Sequence, residues 1–418
     1  MSHDRVDQAR PLGRRGFLCQ SAAAASLPLL SSTLGLAAEG EPDEAKQAKN
    51  KRKIKLGLVG CGGRGKWIAK LFLQDGGYEF VALADYFPQV ADAGGEALGV
   101  DKARRFSGLS GYKKVIESGP EAIVLKTPPY CFPEHAKAAV EAGLHVYMAK
   151  PVAVDVPGCL SIEASGKLAT QKQRCFLVDY QMPTDPINIE VRKRILDGAL
   201  GKLAHMQTMG FCGGFPDPPK TDTIESRLQR LVWVNDVALG GDYIGNFDIH
   251  SIDAALWVAG QRPVSAAGAS RICRPNAHGD GRDVCSVVYE FADGLVLNHY
   301  AQALRNNSSG ALSCQIFGTS ANAMVNYWGK AYVRGGSKHY GGGQVEHLYG
   351  AGAKRNIARF HEDIVQGRFE NPTVLRAVDG ALTTILGREA AQRHGRMTMD
   401  EVIKENKRLE VDLSGLKA

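Results

Sequence analysis

From Lys55 to Tyr180 the chain alternates between short, almost wholly apolar runs and longer stretches whose apolar residues recur every three or four positions. The runs Lys55 to Val59, Tyr78 to Ala84, Glu121 to Thr127, Leu144 to Met148 and Arg174 to Tyr180 predict strands buried on both faces. Between them, Lys66 to Gln74 gathers Ile68, Leu71 and Phe72 on one helical face. Pro133 to Ala142 does the same with Ala136, Ala139 and Val140 before Gly143 stops it. Gly111 to Ser118 and Val156 to Thr170 also read as helices, and Leu98 to Phe106 as a short return. This alternation predicts an α/β fold over residues 54–180, a doubly wound parallel sheet with helices on both faces.

Beyond Gln181 the rhythm changes. A helix from Pro186 to Asp197, stopped by Gly198, leads into the alternating segment Leu203 to Cys212. Two hairpins follow: Ser286 to Phe291 and Leu295 to Ala301 flank Asp293-Gly294, and Ser313 to Phe317 and Ala323 to Trp328 flank Gly318 to Asn322. Helices from Arg355 to Gln366 and Val374 to Arg393 come after a glycine-rich loop, Gly335 to Gly352. Residues 181–418 are therefore expected to form an α+β domain on a large, mainly antiparallel open sheet.

The 418 residues suit two domains, and the net charge of +7 is modest. Its basic clusters, Arg14-Arg15 and Lys49, Lys51, Arg52 and Lys53, carry no interleaved aromatics and lie in segments resembling a leader and a linker, so no nucleic-acid footprint is indicated. Residues 1–38 read as a twin-arginine signal peptide: Arg14-Arg15-Gly16-Phe17-Leu18, an apolar stretch from Ala22 to Leu36, then small residues at Gly35 to Ala38. That predicts a periplasmic or secreted protein. Ser26, Pro28 and Ser31 interrupt the apolar stretch, so it is not a stable membrane anchor. Residues 39–53 are polar and aperiodic, as in a disordered linker. The nine cysteines have no C-x-x-C pair and no metal-like Cys/His spacing, so no metal is expected; Cys19 would leave with the leader.

The first predicted strand runs into Gly60-Cys61-Gly62-Gly63-Arg64-Gly65. In such a turn the first glycine permits the bend, the second lets backbone approach a pyrophosphate, and the third lets helix pack on strand. Asp85 ends the second strand, where an acidic side chain meets ribose hydroxyls, and no arginine follows closely, so NAD is favoured over NADP. Lys150, at the carboxyl end of a strand and followed by Pro151, projects toward the crevice where ligands of such sheets bind; it reads as a donor to a substrate hydroxyl or as a solvated turn lysine.

In the second domain, a helix beginning near Asn246 would place Asn246, His250 and Asp253 on one face, a poised proton carrier or a capped helix with a satisfied histidine. Asp248 points elsewhere on an ideal helix, but a distorted first turn would bring it in. His135 and His145 are weaker candidates, His135 for facing the cofactor.

Taken jointly, Gly60 to Gly65, Thr127-Pro128-Pro129 with His135, Ala142 to Val146, Ala149-Lys150-Pro151 and Gly240 to Trp257 resemble the glucose-fructose oxidoreductase, inositol dehydrogenase and rhizopine-catabolism (Gfo/Idh/MocA) family, from Lys53 to about Ile403. The resemblance implies a Rossmann domain, tightly held nicotinamide cofactor, sugar or polyol substrates, and a homo-oligomer, dimer or tetramer, built through the C-terminal sheet. It implies that Lys150 contacts substrate and nicotinamide ribose, that His250 is the catalytic histidine, and that Thr127, Pro128, Pro151 and Gln181 approach the cofactor. Ala149 replaces the family's usual Glu, and Asn246 stands where many members have the Asp that partners the histidine, which leaves His250 alone, His250 with Asp253, or Asp248 as the proton-transfer group.

Export adds an expectation. A folded enzyme carried out with NAD aboard meets no pool of free NAD, so its cycle should be redox-neutral: one sugar oxidised as another is reduced, or a transient oxidation in which the hydride returns after elimination, as in NAD-dependent glycosidases. A non-catalytic, cofactor-bound binding protein is the third reading.

Overall fold

The computed structural model describes residues 51–217, 221–275 and 277–418, and the signal peptide and nearly all of the linker read from the sequence lie outside them. The first sheet is built from β1 (Ile54–Val59), β2 (Tyr78–Asp85), β3 (Arg105–Ser107), β4 (Ala122–Leu125), β5 (His145–Met148) and β6 (Phe176–Val178), ordered β3-β2-β1-β4-β5-β6 with every pair parallel. Order reverses at β1, so the crevice beyond the carboxyl ends of β1 and β4 is where such a sheet takes its ligand.

Both faces of this sheet are buried, for different reasons. On one, Val59, Ile123, Leu125, Val146 and Met148 meet α4 (Phe132–Glu141) and α5 (Val156–Gln171). On the other, Ile54, Leu56 and Leu58 meet α1 (Gly63–Asp75) and a helix from the far end of the chain, α9 (Leu348–Gln366), through Ala353, Ile357 and Phe360. The hydroxyl of Tyr78 donates to the Ile357 carbonyl at 2.7 Å, tying that helix to the sheet.

Within the first domain one α-helix was not read from the sequence: α2 (Pro88–Leu98) fills the step between β2 and β3. Gly94 and Gly95 at its centre weaken the helical signal. The structure uses their bareness, since a Cβ on Gly95 would stand 2.1 Å from the Arg105 side chain.

The second sheet has nine strands in the order β14-β13-β12-β11-β7-β10-β9-β8-β15: β7 (Leu203–Cys212), β8 (Ser265–Arg271), β9 (Val284–Glu290), β10 (Val296–Ala303), β11 (Ala311–Gly318), β12 (Asn322–Asn326), β13 (Gly329–Arg334), β14 (Tyr340–Val345) and β15 (Met397–Thr398). Only β7 and β10 pair parallel, Thr208 opposite His299; the other neighbours are antiparallel. Both predicted hairpins are present, as β9–β10 and β11–β12. The predicted loop Gly335 to Gly352 is corrected: it contains β14 and the start of α9, because Gly341-Gly342-Gly343 supplies no side chains to alternate. One face of this sheet packs on α8 (Ile249–Ala259) and α10 (Pro372–Arg393). Among the described residues no helix is long and apolar enough to cross a membrane.

Candidate active site

At the end of β1, Gly60 adopts φ +93°, and a Cβ there would lie 2.6 Å from the Lys126 carbonyl carbon. A Cβ on Gly65 would lie 1.8 Å from the Gly60 oxygen, so helix and turn meet at a distance only glycine allows. Gly62 and Gly63 are the opposite case: a Cβ on either meets nothing within 4 Å. The first amides of α1, uncapped by any side chain at Gly62, therefore open onto free space, as an anion-binding helix start requires. Asp85 closes this cradle. Its Oδ2 accepts from the Cys61 amide at 2.7 Å and its Oδ1 from the Phe87 amide at 3.1 Å, while burial pushes its carboxyl above the usual range. The residues present fit the diphosphate and adenosine ribose of a dinucleotide. Thr127, beginning the loop after β4, lies 3.5 Å through Oγ1 from the Nδ1 of His135, whose ring stacks on Tyr112 and whose burial brings its pKa down to about 3. His135 thus lies beneath the loop as a neutral ring packed on Tyr112. His145 is likewise buried, its Nδ1 accepting from the Cys175 amide at 2.8 Å.

Deeper in the crevice, Asp179 collects the charges. Its carboxylate accepts from Arg64 Nη2 at 3.2 Å, Gln181 Nε2 at 2.9 Å and Asn356 Nδ2 at 2.9 Å, and Lys126 Nζ lies 3.7 Å away. These cations hold Asp179 below the usual carboxylate range against its burial. Arg64 in turn lies 4.3 Å from the ring centres of both Trp67 and Tyr349. Gln181, expected near the nicotinamide, has its amide committed to Asp179 and accepts from the Tyr327 hydroxyl at 3.1 Å, fixing the junction between domains. Asp179, Lys126 and Asn356 were not singled out in the sequence; the apolar run into Asp179-Tyr180 was the only signal, and their partners lie too far along the chain to be read.

Lys150 and Pro151 are joined by a cis peptide bond. The ammonium of Lys150 donates to the backbone carbonyl of Asn246, the residue expected to contribute its side chain. Burial, aided by the charge of Arg64, brings Lys150 down to about 7. The carbonyl belongs to a π-helical turn, Ile244–Asp248, directly ahead of α8. An extra residue per turn here rotates Asp248 inward, the distortion that the sequence allowed for.

Asp248 is fully buried: its Oδ2 lies 3.3 Å from His299 Nε2, while Oδ1 has no partner. His299 Nδ1 lies 3.0 Å from Thr208 Oγ1, and burial raises Asp248 to about 6. Gly210 makes the room, since a Cβ there would lie 1.8 Å from Asp248 Oδ1.

His250, first turn of α8, packs in T-shaped contacts with Tyr180 (6.2 Å between ring centres) and Tyr327 (5.2 Å), and burial together with the charges of Lys150 and Arg64 holds its pKa well below the ordinary range. The expected grouping of His250 with Asp253 is corrected. Asp253 accepts from Arg376 Nε at 2.9 Å, and Arg376 also lies over the ring of Tyr180. With the first turn π-helical, the ideal spacing that aligned Asn246 with Asp253 no longer applies.

Residues 54–180 match the oxidoreductase family model with an NAD-binding Rossmann fold, and residues 189–324 match the GFO/IDH/MocA C-terminal domain. The chain is 26% identical over 260 residues to the inositol 2-dehydrogenase of Rhizobium meliloti (strain 1021), covering 62% of this chain and 69% of that one. Over 131 residues, 30% of this chain and 25% of the relative, it is 30% identical to glycosyl hydrolase family 109 protein 4 of Phocaeicola vulgatus. Among solved structures, levoglucosan dehydrogenase in complex with NADH and levoglucosan shares the fold at a TM-score of 0.69 and 18% identity, covering 83% of this chain and 100% of that one.

Proposed function

Because the chain belongs to the Gfo/Idh/MocA family of oxidoreductases and its first domain binds NAD, we propose that it is an exported enzyme that oxidises a hydroxyl of a sugar, polyol or glycoside on an NAD it does not release. The observation that carries this reading is the meeting of Lys150 and the π-helical turn before His250 in the crevice that begins at the open glycine cradle. When bound, the nicotinamide supplies a hydride acceptor. Everything else is done by the chain. The Lys150 ammonium donates to the substrate oxygen and stabilises the negative charge that grows on it as the C–H bond breaks. His250, neutral at physiological pH because burial disfavours its charged form, takes the hydroxyl proton. Asn246 enters through its backbone carbonyl, which orients the Lys150 ammonium, so the loss of the family's aspartate at this position leaves that contact intact.

Substrate-dependent appearance of reduced-nicotinamide absorbance on the purified protein, lost in Lys150→Ala and in His250→Ala, is the expected result. No such signal with any of a panel of inositols, hexoses and anhydrosugars would overturn the reading. The twin-arginine motif supports export, and export supports a redox-neutral cycle in which the hydride passes from one sugar to another.

The local likeness to a glycosyl hydrolase family 109 protein favours one alternative. There base-assisted loss of a leaving group from the carbon beside the acidified C–H leaves a double bond conjugated to the ketone, water adds across it, and the hydride then returns to the same ring. Release of aglycone from aryl glycosides without added NAD would select it.

A further inference from the structure

The segment after α11 (Met399–Glu405) does not leave the molecule but crosses the carboxyl edge of the parallel sheet. It is anchored at both ends. On the β5 side, the Leu409 amide donates to Asp155 Oδ2 at 2.9 Å, while Asp155 Oδ1 caps α5 by accepting from Gly158 at 2.8 Å. On the β2–β3 side, the Lys417 amide donates to the Tyr86 hydroxyl at 3.2 Å, and the Leu109 amide donates to the Lys417 carbonyl at 3.0 Å. Gly108 is bare where the strand of chain passes: a Cβ there would stand 2.1 Å from the Ala418 oxygen. A third element joins the far anchor, because the Tyr86 hydroxyl donates to Glu225 at 2.9 Å and a Cβ on Gly415 would come 2.9 Å from the Thr223 methyl.

In the sheet order, β4 and β1 lie between these anchors. The segment must therefore pass over the carboxyl ends of the two strands whose divergence makes the dinucleotide crevice. Tyr86 follows Asp85, the ribose-binding position, so the far anchor borders the adenosine half of the site and leaves Lys150 and His250 at the other end. Leu409, Val411 and Leu416 are half-buried along the path, giving it apolar contacts as well as the hydrogen bonds.

We propose that residues 409–418, with Tyr86 and Glu225, form the outer wall of the adenosine site, a strap that a bound NAD cannot leave without displacing. Resting on the NAD reading above, this supplies the physical means by which the cofactor stays through many turnovers. A strap held by a handful of hydrogen bonds slows release by raising the barrier to opening, and it bears on the adenosine half of the ligand alone.

The test uses the full chain, a deletion of residues 409–418, and Tyr86→Phe, which keeps the ring and removes the hydroxyl. Release of NAD is followed by competition in stopped flow, and affinities for ADP-ribose and for nicotinamide mononucleotide are measured separately. The expected result is release at least tenfold faster from the deletion and about threefold faster from Tyr86→Phe. ADP-ribose should be weakened in parallel, with nicotinamide mononucleotide unchanged. Equal release rates in all three proteins overturn the strap, as does tighter NAD binding in the deletion, which would make the segment a competitor for the site. Fast release from the intact chain with still faster release from the deletion sinks the retained-cofactor reading and keeps the strap.

Discussion

The two ends of the crevice are built on opposite principles. At the cofactor end, Gly60 to Gly65 works by what is missing: side chains are excluded at Gly60 and Gly65 by backbone 2.6 and 1.8 Å away, and unneeded at Gly62 and Gly63, where the space is open. At the reaction end, Lys150, Asp248 and His250 work by what is buried, with burial displacing the pKa of each from its ordinary value. The first end is a steric requirement satisfied within six residues; the second is an electrostatic state assembled from two domains. Mutations should therefore break the first in binding and the second in turnover.

The sharpest separation is expected from Lys150→Ala. Removing the donor should lower kcat by about 10³-fold, with NAD affinity within threefold of the parent, read by steady-state rates and by titration. Gly65→Ala should do the reverse. A methyl against the Gly60 carbonyl displaces the start of α1, weakening NAD by about 100-fold, or about 3 kcal/mol, while saturating NAD restores much of kcat.

Lys150→Arg sharpens the electrostatic half. Because the Lys150 pKa is lowered to about 7, its charge is present below that pH and lost as pH rises through it, so kcat/KM for oxidation should fall on the alkaline side of about 7. Arg64, Lys126, Asp179 and Asp248 are the charges that surround it. Arginine stays protonated throughout, so the falling limb should vanish even though the misfit costs about tenfold in rate. The smallest effect belongs to Asp253→Asn: kcat within twofold and an unchanged pH profile, with Tm lower by about 3 °C as the contact to Arg376 weakens. A tenfold loss of kcat there would restore Asp253 to the proton path and undo the contrast.

This contrast also explains what was legible in the sequence. The glycine turn, Asp85, the parallel sheet and both hairpins are local patterns, so spacing alone exposed them. Lys150 was found because the end of a strand is a local feature too. Asp253 follows His250 by three residues within α8 and was misassigned because its partner, Arg376, lies 123 residues further on, whereas Asn246 was misplaced by the π turn Ile244–Asp248 that no local pattern announces. The Asp248–His299 contact spans 51 residues and Asp179–Asn356 spans 177, and buried pairs so distant leave no periodicity to read. Missing α2 had a different origin: its two central glycines serve close packing and disguise the helix.

The Asp179 junction has a consequence for anyone recombining such enzymes. A module cut after residue 180 looks natural, since one fold ends there and another begins. Yet Asp179 is satisfied from three places: Arg64 in the donor module, Gln181 just past the cut, and Asn356 far into the recipient. Transplanting the cofactor domain alone would carry a buried carboxylate into a host lacking its amide partners. The transferable unit is discontinuous, the first domain together with Gln181 and α9, and a chimera designed on that boundary should inherit cofactor preference without leaving the buried carboxylate short of its amide donors.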